Sequence, residues 1–288
     1  MSLLKNDIKE KLSIIILCAG EGIRLRKIVR NIPKPLIKIE GLNNISILQH
    51  TINNLLNFEL NNITVIIGHL GYVIREFLTV LKEKFPDLNN KLVIIDSGTQ
   101  YKLGPLHSFL AITKDKKIYT LNNCYLILPG DTIFDYSLLK EVFSIFSVNF
   151  TLINKYPFIF YRSIGIKPLK KMYNEKRQIS NAEFEVFDSK ITLKRIIKNK
   201  IKDLASNEVV NQIIPIIALN YDNIKEILNL EQCISLKTLW QALNHLILNE
   251  KKILCFKVPN EHNFYDIDTK DDLMKQKKKK RTIGAQIN

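Results

Sequence analysis

Two glycines and an arginine follow the first apolar stretch of the chain. Gly20 and Gly22 come directly after Leu12 to Ala19, and Arg24 stands two residues further on. Glycine permits positive φ angles and a close approach of the backbone, so successive N–H groups can bind phosphate oxygens. The guanidinium of Arg24 adds a forked cation that suits the same ligand. Two glycines after a strand also fit a plain tight turn, and this segment alone does not decide between the two.

A lysine between two prolines follows in the sequence. Pro33 and Pro35 restrict the backbone on both sides of Lys34, so its side chain starts from a backbone of fixed conformation. Leu25 occupies the third glycine position of a dinucleotide-binding loop, and the Gly-Lys-Ser/Thr of a Walker A loop does not follow. The segment therefore predicts an anion site of another kind.

An aspartate ends the apolar run Leu126 to Leu128. Asp131 follows Gly130 at what we predict to be the carboxyl end of a buried strand. Mg²⁺ prefers hard oxygen ligands and takes one or two protein carboxylates together with phosphate oxygens, and this position suits such a ligand. A Gly-Asp pair also fits a turn or a helix N-cap.

Two further aspartates stand close together near the end of the chain. If Asp266 to Asp268 is extended, their carboxylates point to the same side. Close like charges repel, so such a pair makes most sense around a cation. The alternative is that Asp268 or Thr269 caps a helix that begins near Lys270.

The elements that must position these residues alternate in type. Apolar runs of strand length alternate with segments of helical period, which predicts a mostly parallel sheet with helices on both faces. Ligands of such sheets bind beyond the carboxyl ends of the strands, where the glycine segment and Asp131 both lie. The predicted strands are Ile14–Cys18, Ile63–Ile67, Leu92–Asp96 and Tyr125–Leu128, and the predicted helices include Val73–Phe85, Leu103–Thr113 and Tyr136–Phe146.

The second half of the chain predicts more strands. Asp188-Ser189 indicates a hairpin turn, and Pro215 indicates an edge strand or a bulge. We predict one domain over residues 12–274, with a half of alternating strands and helices at about 12–148 and a more strand-rich half at about 149–274. The basic tail, residues 275–288, carries a charge run that predicts disorder. The predicted strands of this half are Phe150–Asn154, Phe184–Phe187, Ile191–Ile197, Ile213–Leu219 and Ile253–Val258.

Composition narrows the classes of function. Of the 288 residues 46% are hydrophobic, and no apolar run approaches the ~18–20 residues of a membrane span. The first apolar run is shorter than a secretory core, so the expected location is the cytoplasm. The four cysteines form no CxxC pair, which argues against zinc or a disulfide framework. The net charge of +15 would suit nucleic acid, but six basic residues lie in Lys275–Arg281, and specific nucleic-acid binding is not expected.

The stretch from Leu17 to Gly41 resembles a known signature. Its sequence, LCAGEGIRLRKIVRNIPKPLIKIEG, is similar to the nucleotide-binding signature of the sugar-phosphate nucleotidyltransferases, which include guanylyl-, thymidylyl- and cytidylyltransferases. In that family a glycine-rich loop ending in Arg-Leu precedes Pro-Lys-Pro. The later stretches GDTIFDYSLL and DIDTKDDL are similar to the family's Gly-Asp and closing Asp-x-Asp motifs, with Lys270 in place of the usual proline.

The resemblance implies a fold, a cofactor and a set of site residues. The fold is Rossmann-like, a three-layer α/β/α structure of the nucleotide-diphospho-sugar transferase type with a mostly parallel mixed sheet and a small β-rich acceptor subregion. Mg²⁺ is the implied cofactor, with Asp266 joining Asp131 on the metal and Asp268 as a further metal ligand. The resemblance also implies a nucleotide-binding half at about 12–148 and an acceptor-binding half at about 149–274. Arg24 and Lys34 are the implied catalytic residues. The implied nucleotide-binding residues are Leu17, Ala19, Gly20, Gly22, Arg24, Lys34, Gln100, Gly104 and Asp131, and Lys198 or Lys200 would contact the acceptor.

We therefore expect transfer of a nucleotide from an NTP to a phosphorylated small molecule, a sugar 1-phosphate in the first place, with release of pyrophosphate. The second pKa of a phosphate monoester is about 6, so the acceptor is ionised at neutral pH and needs no general base. Heptose 1-phosphate, phosphocholine, inositol phosphate and phosphonate acceptors stay open, as does a homodimer. The alternatives are a GT-A-type glycosyltransferase and a non-catalytic regulatory protein that keeps the fold, because the acceptor motif departs from the family's Glu-Lys-Pro.

Overall fold

A computed structural model describes residues 3–25, 29 and 31–283 of the protein, with side chains to residue 276. The helices are α1 Asn6–Lys11, α2 Ile47–Leu56, α3 Gly71–Lys84, α4 Leu88–Lys91, α5 Pro105–Leu110, α6 Tyr136–Val148, α7 Ile166–Met172, α8 Tyr221–Cys233, α9 Leu239–Leu248 and α10 Lys270–Ile283. The strands are β1 Leu12–Leu17, β2 Lys38–Ile39, β3 Ile45–Ser46, β4 Asn62–Ile67, β5 Leu92–Asp96, β6 Cys124–Pro129, β7 Thr132–Phe134, β8 Phe158–Gly165, β9 Gln178–Phe187, β10 Lys190–Lys200, β11 Val209–Asn220, β12 Leu254–Lys257 and β13 Phe264–Asp266.

A nine-stranded mixed sheet crosses the molecule in the order β5-β4-β1-β6-β11-β8-β12-β10-β9. The first four strands run parallel to one another. From β6 onward most neighbours are antiparallel, and β8 with β12 is the exception. The chain therefore follows the predicted strand–helix alternation in its first half and forms hairpin-like pairings in its second.

Helices cover both faces of the parallel part of the sheet. Along β1, Ile14 and Ile16 belong to one buried cluster and Ile15 to another, because successive side chains of a strand point to opposite faces. Leu126 and Ile127 of β6 divide in the same way. Helices α2, α3 and α6 supply the first cluster, and α5, α8 and α9 supply the second. The predicted Rossmann-like three-layer fold is confirmed, although parallel pairing is confined to β5-β4-β1-β6 and to β8-β12.

The carboxyl ends of β1 and β6 lie side by side. Leu17 is the register partner of Pro129, and the N–H of Gly130 donates to the carbonyl of Leu17 at 2.8 Å. A side chain at Gly130 would place its Cβ only 2.3 Å from Cys18 Sγ, so only glycine allows these two segments of the backbone to approach this closely. The register therefore brings the loop after β1 and the loop after β6 to one edge of the sheet.

The second half differs from the sequence predictions in two places. Phe150–Asn154 was predicted as a strand and is a short 3₁₀ helix. The prediction was wrong because a run of this length has too few apolar residues to distinguish a strand from a helix by period. Pro215 lies in β11, which is central rather than at an edge, and the pairing with β8 shifts register between Ile214 and Ile217. Of the two predicted roles for Pro215, the bulge is therefore the one observed.

The predicted basic tail begins inside helix α10. Residues 275–283 belong to this helix, since lysine and arginine are good helix formers and the helix has Asp271 and Asp272 in its first turn. Disorder was expected from residue 275, and residues 284–288 lie outside the described residues. Among the described residues we find no helix with the length and apolar content that a bilayer crossing requires.

The hairpin between β9 and β10 gives a test of the local backbone. Asp188 and Ser189 both have positive φ, 47° and 58°, as a primed two-residue turn requires. Ser189 is exposed, and Ser189→Gly should raise the free energy of unfolding by about 0.5–1 kcal/mol by removing the Cβ penalty. The melting temperature should rise by about 1–3 °C. Exposed Ser206, which has no positive φ, gives the control, and an equal gain from Ser206→Gly would contradict the explanation.

Candidate active site

A two-stranded ladder joins the loop after β6 to the last motif of the chain. Strand β13 pairs with β7 so that Asp266 lies opposite Thr132. The N–H of Ile267 donates to the carbonyl of Asp131 at 3.2 Å, which continues the contact beyond the ladder. The two predicted aspartate motifs are therefore neighbours in space although they are far apart in sequence.

Lys34 connects these two motifs. Its Nζ donates to Asp131 Oδ2 and to Asp268 Oδ1, both at 2.6 Å, and the side chain is only 10% exposed. Pro33 and Pro35 lead the backbone into a short 3₁₀ turn that begins at Lys34. The backbone around Lys34 is thus restricted by both prolines, and its side chain extends to the two carboxylates.

Arg24 reaches the same cluster from the solvent side. Its Nη1 lies 3.2 Å from Asp268 Oδ2, and its side chain is 73% exposed. An exposed ion pair of this kind contributes little to stability because water screens it. The guanidinium is therefore free to exchange its carboxylate partner for another anion at low cost.

A third cation, Arg177, was not predicted from the sequence. Its Nη2 lies 2.9 Å from Asp266 Oδ2 and 3.5 Å from Asp268 Oδ2, and its Nη1 lies 3.2 Å from Asp272 Oδ2. The guanidinium also stacks on the ring of Tyr173 at 4.8 Å and is 12% exposed. Nothing in the local sequence distinguishes Arg177 from the many other basic residues, since only the tertiary fold brings it to the aspartates.

The two aspartates of the last motif have different surroundings. Asp266 accepts from the hydroxyl of Thr132 at 2.6 Å and pairs with Arg177, whereas Asp268 shares Lys34 with Asp131. The carboxylates that converge on one cation are thus Asp131 and Asp268. In this structure Asp268, rather than Asp266, shares a side chain with Asp131, and the three aspartates that the resemblance implied as metal ligands line one cavity.

Helix α10 has its own cap and does not need Asp268. The side chain of Asp272 accepts from the backbone N–H groups of Asp268 and Thr269, and the Asp272 N–H donates to Thr269 Oγ1. This reciprocal pattern is a capping box built by Thr269 and Asp272. The Asp268 carboxylate is therefore available for ion pairing, and the capping role offered as an alternative falls to Thr269.

The charges of the cluster shift one another's pKa values. Burial lowers the pKa of Lys34, but the ion pairs with Asp131 and Asp268 outweigh it, so the pKa of Lys34 is raised and the side chain stays charged. For Asp268, burial raises the pKa, and Lys34, Arg177 and Arg24 together bring it below its ordinary value. Burial raises the pKa of Asp266 despite the opposing effects of Arg177 and Thr132.

A cavity of about 410 Å³ lies beside the glycine loop. Gly22 has a φ of 60°, and a Cβ there would lie 3.5 Å from the Cβ of Lys34, so the loop packs directly on the lysine stem. Backbone N–H groups together with the lysines that line the same cavity, Lys34 and Lys102, can bind phosphate oxygens. Of the predicted nucleotide-binding residues, six line this cavity: Leu17, Ala19, Gly20, Gly22, Lys34 and Asp131.

Gln100 and Gly104, predicted to contact the base, are not in the lining of this cavity. Their neighbours Tyr101, Lys102 and Pro105 line it instead. Gly104 has a φ of 128°, and a Cβ there would lie 2.5 Å from the carbonyl oxygen of Lys237. Packing against that carbonyl is a sufficient reason for glycine at this position.

A second cavity is lined by the aspartates of both motifs. Its volume is about 380 Å³, and Asp131, Asp266, Asp268, Lys198 and Trp240 are among its lining residues. Lys198 and Trp240 also border a third cavity of about 580 Å³, which Arg24, Arg177 and Lys200 line as well. Of the two lysines predicted for the acceptor, Lys198 is thus the one that faces the same cavity as Asp131.

The donor set fits a cation that brings most of its own ligands. Among the described residues no group of three or more His, Cys, Asp or Glu side chains is arranged to hold a metal ion. Asp131 and Asp268 nevertheless lie within hydrogen-bonding distance of one Nζ, beside a cavity that suits phosphate. Mg²⁺ commonly takes one or two carboxylates and completes its shell with water and phosphate oxygens, so these residues fit Mg²⁺ bound together with a phosphate ligand.

Comparison with known proteins supports the resemblance seen in the sequence. Residues 13–147 match the family model described as nucleotidyl transferase. A 101-residue stretch is 30% identical to the 2-aminoethylphosphonate cytidylyltransferase of Lancefieldella rimae, and it covers 35% of this chain and 36% of that protein. The match thus spans about a third of the length of the curated relative.

Solved structures extend the similarity of fold to nearly the whole chain. UDP-glucose pyrophosphorylase in complex with UDP-glucose aligns with a TM-score of 0.66 at 13% identity, over 94% of this chain and 98% of that one. The inositol-1-phosphate CTP transferase from T. maritima aligns with a TM-score of 0.63 at 16% identity, over 93% and 96%. Together with the family match over residues 13–147, these structures support the predicted resemblance, and they show the same fold over nearly the whole chain.

The ion pairs of Arg177 make a prediction about stability. Arg177→Met leaves Asp266, Asp268 and Asp272 without a shared cation and should lower the free energy of unfolding at pH 7 by about 2–3 kcal/mol. The pKa of Asp268 is lowered in the folded state, so its ion pairs stabilise the fold above the pKa of an unfolded aspartate, about 3.9. That stabilisation is lost as the pH falls through the folded-state pKa. The pKa of Asp266, the nearest partner of Arg177, is raised instead, so this carboxylate takes up a proton at a higher pH than an unfolded aspartate does. The difference between variant and wild type should therefore begin to shrink above about pH 4 and continue to shrink below it.

Urea unfolding followed by circular dichroism at several pH values measures this difference. Arg195→Met is the matched control, because Arg195 forms an exposed pair with Glu183 and its loss should leave the unfolding midpoint nearly unchanged. Equal losses for the two variants, or a loss for Arg177→Met that does not depend on pH, would contradict the role assigned to Arg177.

Proposed function

We propose that this chain, whose residues 13–147 match the nucleotidyl transferase family model, transfers a nucleotide from an NTP to a small acceptor that carries a phosphate or phosphonate group. The observation that carries the proposal is the convergence of Asp131 and Asp268 on Lys34. Asp131 lines both the cavity beside the glycine loop and the cavity that contains Lys198, and Asp268 lines the second of these. Two phosphate-bearing molecules can therefore meet at the aspartates.

The two cavities suit different partners. The glycine-loop cavity offers backbone N–H groups and the Lys34 ammonium, which suits the triphosphate of an NTP. The Lys198 cavity offers one ammonium for the acceptor's phosphate and, in Ile127, Pro215, Leu239 and Trp240, a largely apolar wall for the rest of the molecule. Their common border at Asp131 places the reacting groups next to each other.

The proposed reaction needs positioning more than proton transfer. An oxygen of the acceptor phosphate attacks the α-phosphorus, a new P–O bond forms, and the bond to the leaving pyrophosphate breaks. Because the acceptor oxygen is already ionised near neutral pH, no side chain has to remove a proton. Lys34 and Arg24 would neutralise charge on the phosphates, and Lys198 would orient the acceptor.

Asp131 and Asp268 would hold Mg²⁺ at this border. Bound magnesium supplies neutralisation of phosphate charge in such reactions. Arg177 and Thr132 fix Asp266 next to this pair and keep the strand in place. The chain's own part is therefore to hold two carboxylates at a fixed separation.

The acceptor class is a choice between two chemistries. A sugar 1-phosphate is the acceptor expected from the sequence signature. The relative from Lancefieldella rimae is named for an acceptor that carries an amine. Trp240 and the carboxylates of Asp266 and Asp268 in the Lys198 cavity suit an ammonium group, through the face of the indole ring and through ion pairing.

The reaction is tested by measuring pyrophosphate. The purified chain with Mg²⁺ is given each of the four NTPs and a panel of hexose and heptose 1-phosphates, inositol phosphate, phosphocholine and 2-aminoethylphosphonate. At least one pair should release pyrophosphate, and Asp131→Asn should lower kcat by about 10²–10³, because the loss removes a fixed charge at the reacting phosphates. Asp135→Asn, four residues further on, is the control, since its side chain lies outside both cavities.

Other outcomes of the same assay would identify the rival functions. Free NDP released from an NDP-sugar, without pyrophosphate from any NTP, would favour a glycosyltransferase. Magnesium-dependent NTP binding without turnover on any acceptor would favour a regulatory protein. Undiminished pyrophosphate release by Asp131→Asn would overturn the assignment of this aspartate.

Trp240 gives a prediction about the acceptor. If the acceptor carries an ammonium group, Trp240→Leu should raise its KM by about 3–30-fold, which corresponds to the usual range of a cation–π contact. The KM for the NTP should stay within twofold, because Trp240 does not line the glycine-loop cavity. A rise in both KM values would indicate a general disturbance of the fold instead.

A further inference from the structure

The ammonium of Lys34 occupies the position between two carboxylates that a divalent cation would otherwise share. It donates to Asp131 and to Asp268 at the same distance, 2.6 Å, and is almost fully enclosed. Three cations, Lys34, Arg24 and Arg177, face the carboxylates of this cluster, so their charges are nearly balanced within the chain. A free divalent cation would have to displace Lys34 to reach both aspartates.

The same ammonium borders the glycine-loop cavity. Lys34 lines that cavity together with Gly20 and Gly22, and the loop packs on the lysine stem. Its backbone is restricted by the flanking prolines, but four side-chain bonds stay rotatable. A small rotation of the side chain is therefore enough to exchange carboxylate partners for an anion in the cavity.

We propose that Lys34 is a resident cation that closes Asp131 and Asp268 to a free divalent metal ion and opens them when a triphosphate enters the glycine-loop cavity. A triphosphate brings several negative charges, which attract the ammonium away from the aspartates. The released carboxylates and the phosphate oxygens then form a single set of hard oxygen ligands. The inference rests on the proposed function only in placing the triphosphate in this cavity.

Lys34 thereby couples two binding events. By linkage, whatever draws Lys34 away from the aspartates raises the affinity for the metal, and a bound metal raises the affinity for the triphosphate by the same factor. Arg177 does not share this role. Its shorter contacts are with Asp266 and the helix-capping Asp272, whereas Asp268 is 3.5 Å away, and it lines neither the glycine-loop cavity nor the Lys198 cavity. The coupling is therefore assigned to one side chain.

Manganese binding tests the proposal without any turnover. Protein-bound Mn²⁺ is measured by equilibrium dialysis, with the metal alone and with inorganic tripolyphosphate, a probe that has no base. The wild type should bind Mn²⁺ poorly alone and at least about tenfold more tightly with tripolyphosphate. Lys34→Met should bind Mn²⁺ alone about tenfold more tightly than the wild type, because the cation that Asp131 and Asp268 share is gone.

Two further variants make the test specific. Lys102→Met removes a cation that lines the same cavity but forms no ion pair with the aspartates, and it should bind Mn²⁺ alone as the wild type does. The double variant Lys34→Met with Asp131→Asn should lose the affinity that Lys34→Met gains. Circular dichroism shows whether each variant is folded.

The proposal is overturned if Lys34→Met is folded and binds Mn²⁺ alone no more tightly than the wild type. It is also overturned, whatever the folding of that variant, if the wild type binds Mn²⁺ equally well with and without tripolyphosphate. These readouts are independent of pyrophosphate release. A chain that turns over no NTP but shows the Lys34 effect would sink the proposed function and leave this inference standing.

Discussion

Repulsion among carboxylates is the constraint on which the site depends. Asp131, Asp266, Asp268 and Asp272 come together at one edge of the sheet, and each carries a negative charge that opposes the approach of the others. Lys34 and Arg177 make this approach favourable, because each contacts at least two of the carboxylates. Both cations therefore stabilise the position of the closing motif against the loop after β6.

The sheet gives this electrostatic arrangement its geometry. Parallel pairing of β1 with β6 sets Leu17 opposite Pro129, and the close approach at Gly130 leaves no room for a side chain between the two loops. The short ladder of β7 with β13 then fixes Asp266 opposite Thr132. The backbone register thus determines which charged residues are neighbours, and the side-chain conformations determine which of these neighbours form ion pairs.

The sequence predicted those parts of the site that have a local cause. Glycine conformation, proline restriction and an aspartate after a buried strand are properties of a few consecutive residues, so Gly22, Lys34 and Asp131 were found and lie together as expected. The layered fold was predicted for the same reason, since periodicity is a local pattern.

Features that depend on tertiary contacts were missed. In the sequence Arg177 resembles many other basic residues, and only the fold brings it to Asp266. The sequence also does not show that Lys34 pairs with Asp268 rather than with Asp266. The glycine at position 104 has a packing partner, Lys237, more than a hundred residues away. No pattern in a single sequence connects such positions.

A cluster of partly buried ion pairs contributes little net stability, but it allows one ionic partner to be exchanged for another. Enclosing a charge costs desolvation that an ion pair only partly offsets, so an apolar cluster of equal size would stabilise the fold as well or better. The ion pairs fix the position of each carboxylate. The partner of each carboxylate is a lysine or arginine side chain, which can rotate away when a ligand binds. Because Lys34 and Arg177 neutralise the aspartates within the chain, this region folds without needing an external cation, and the charges are already in place when a ligand arrives.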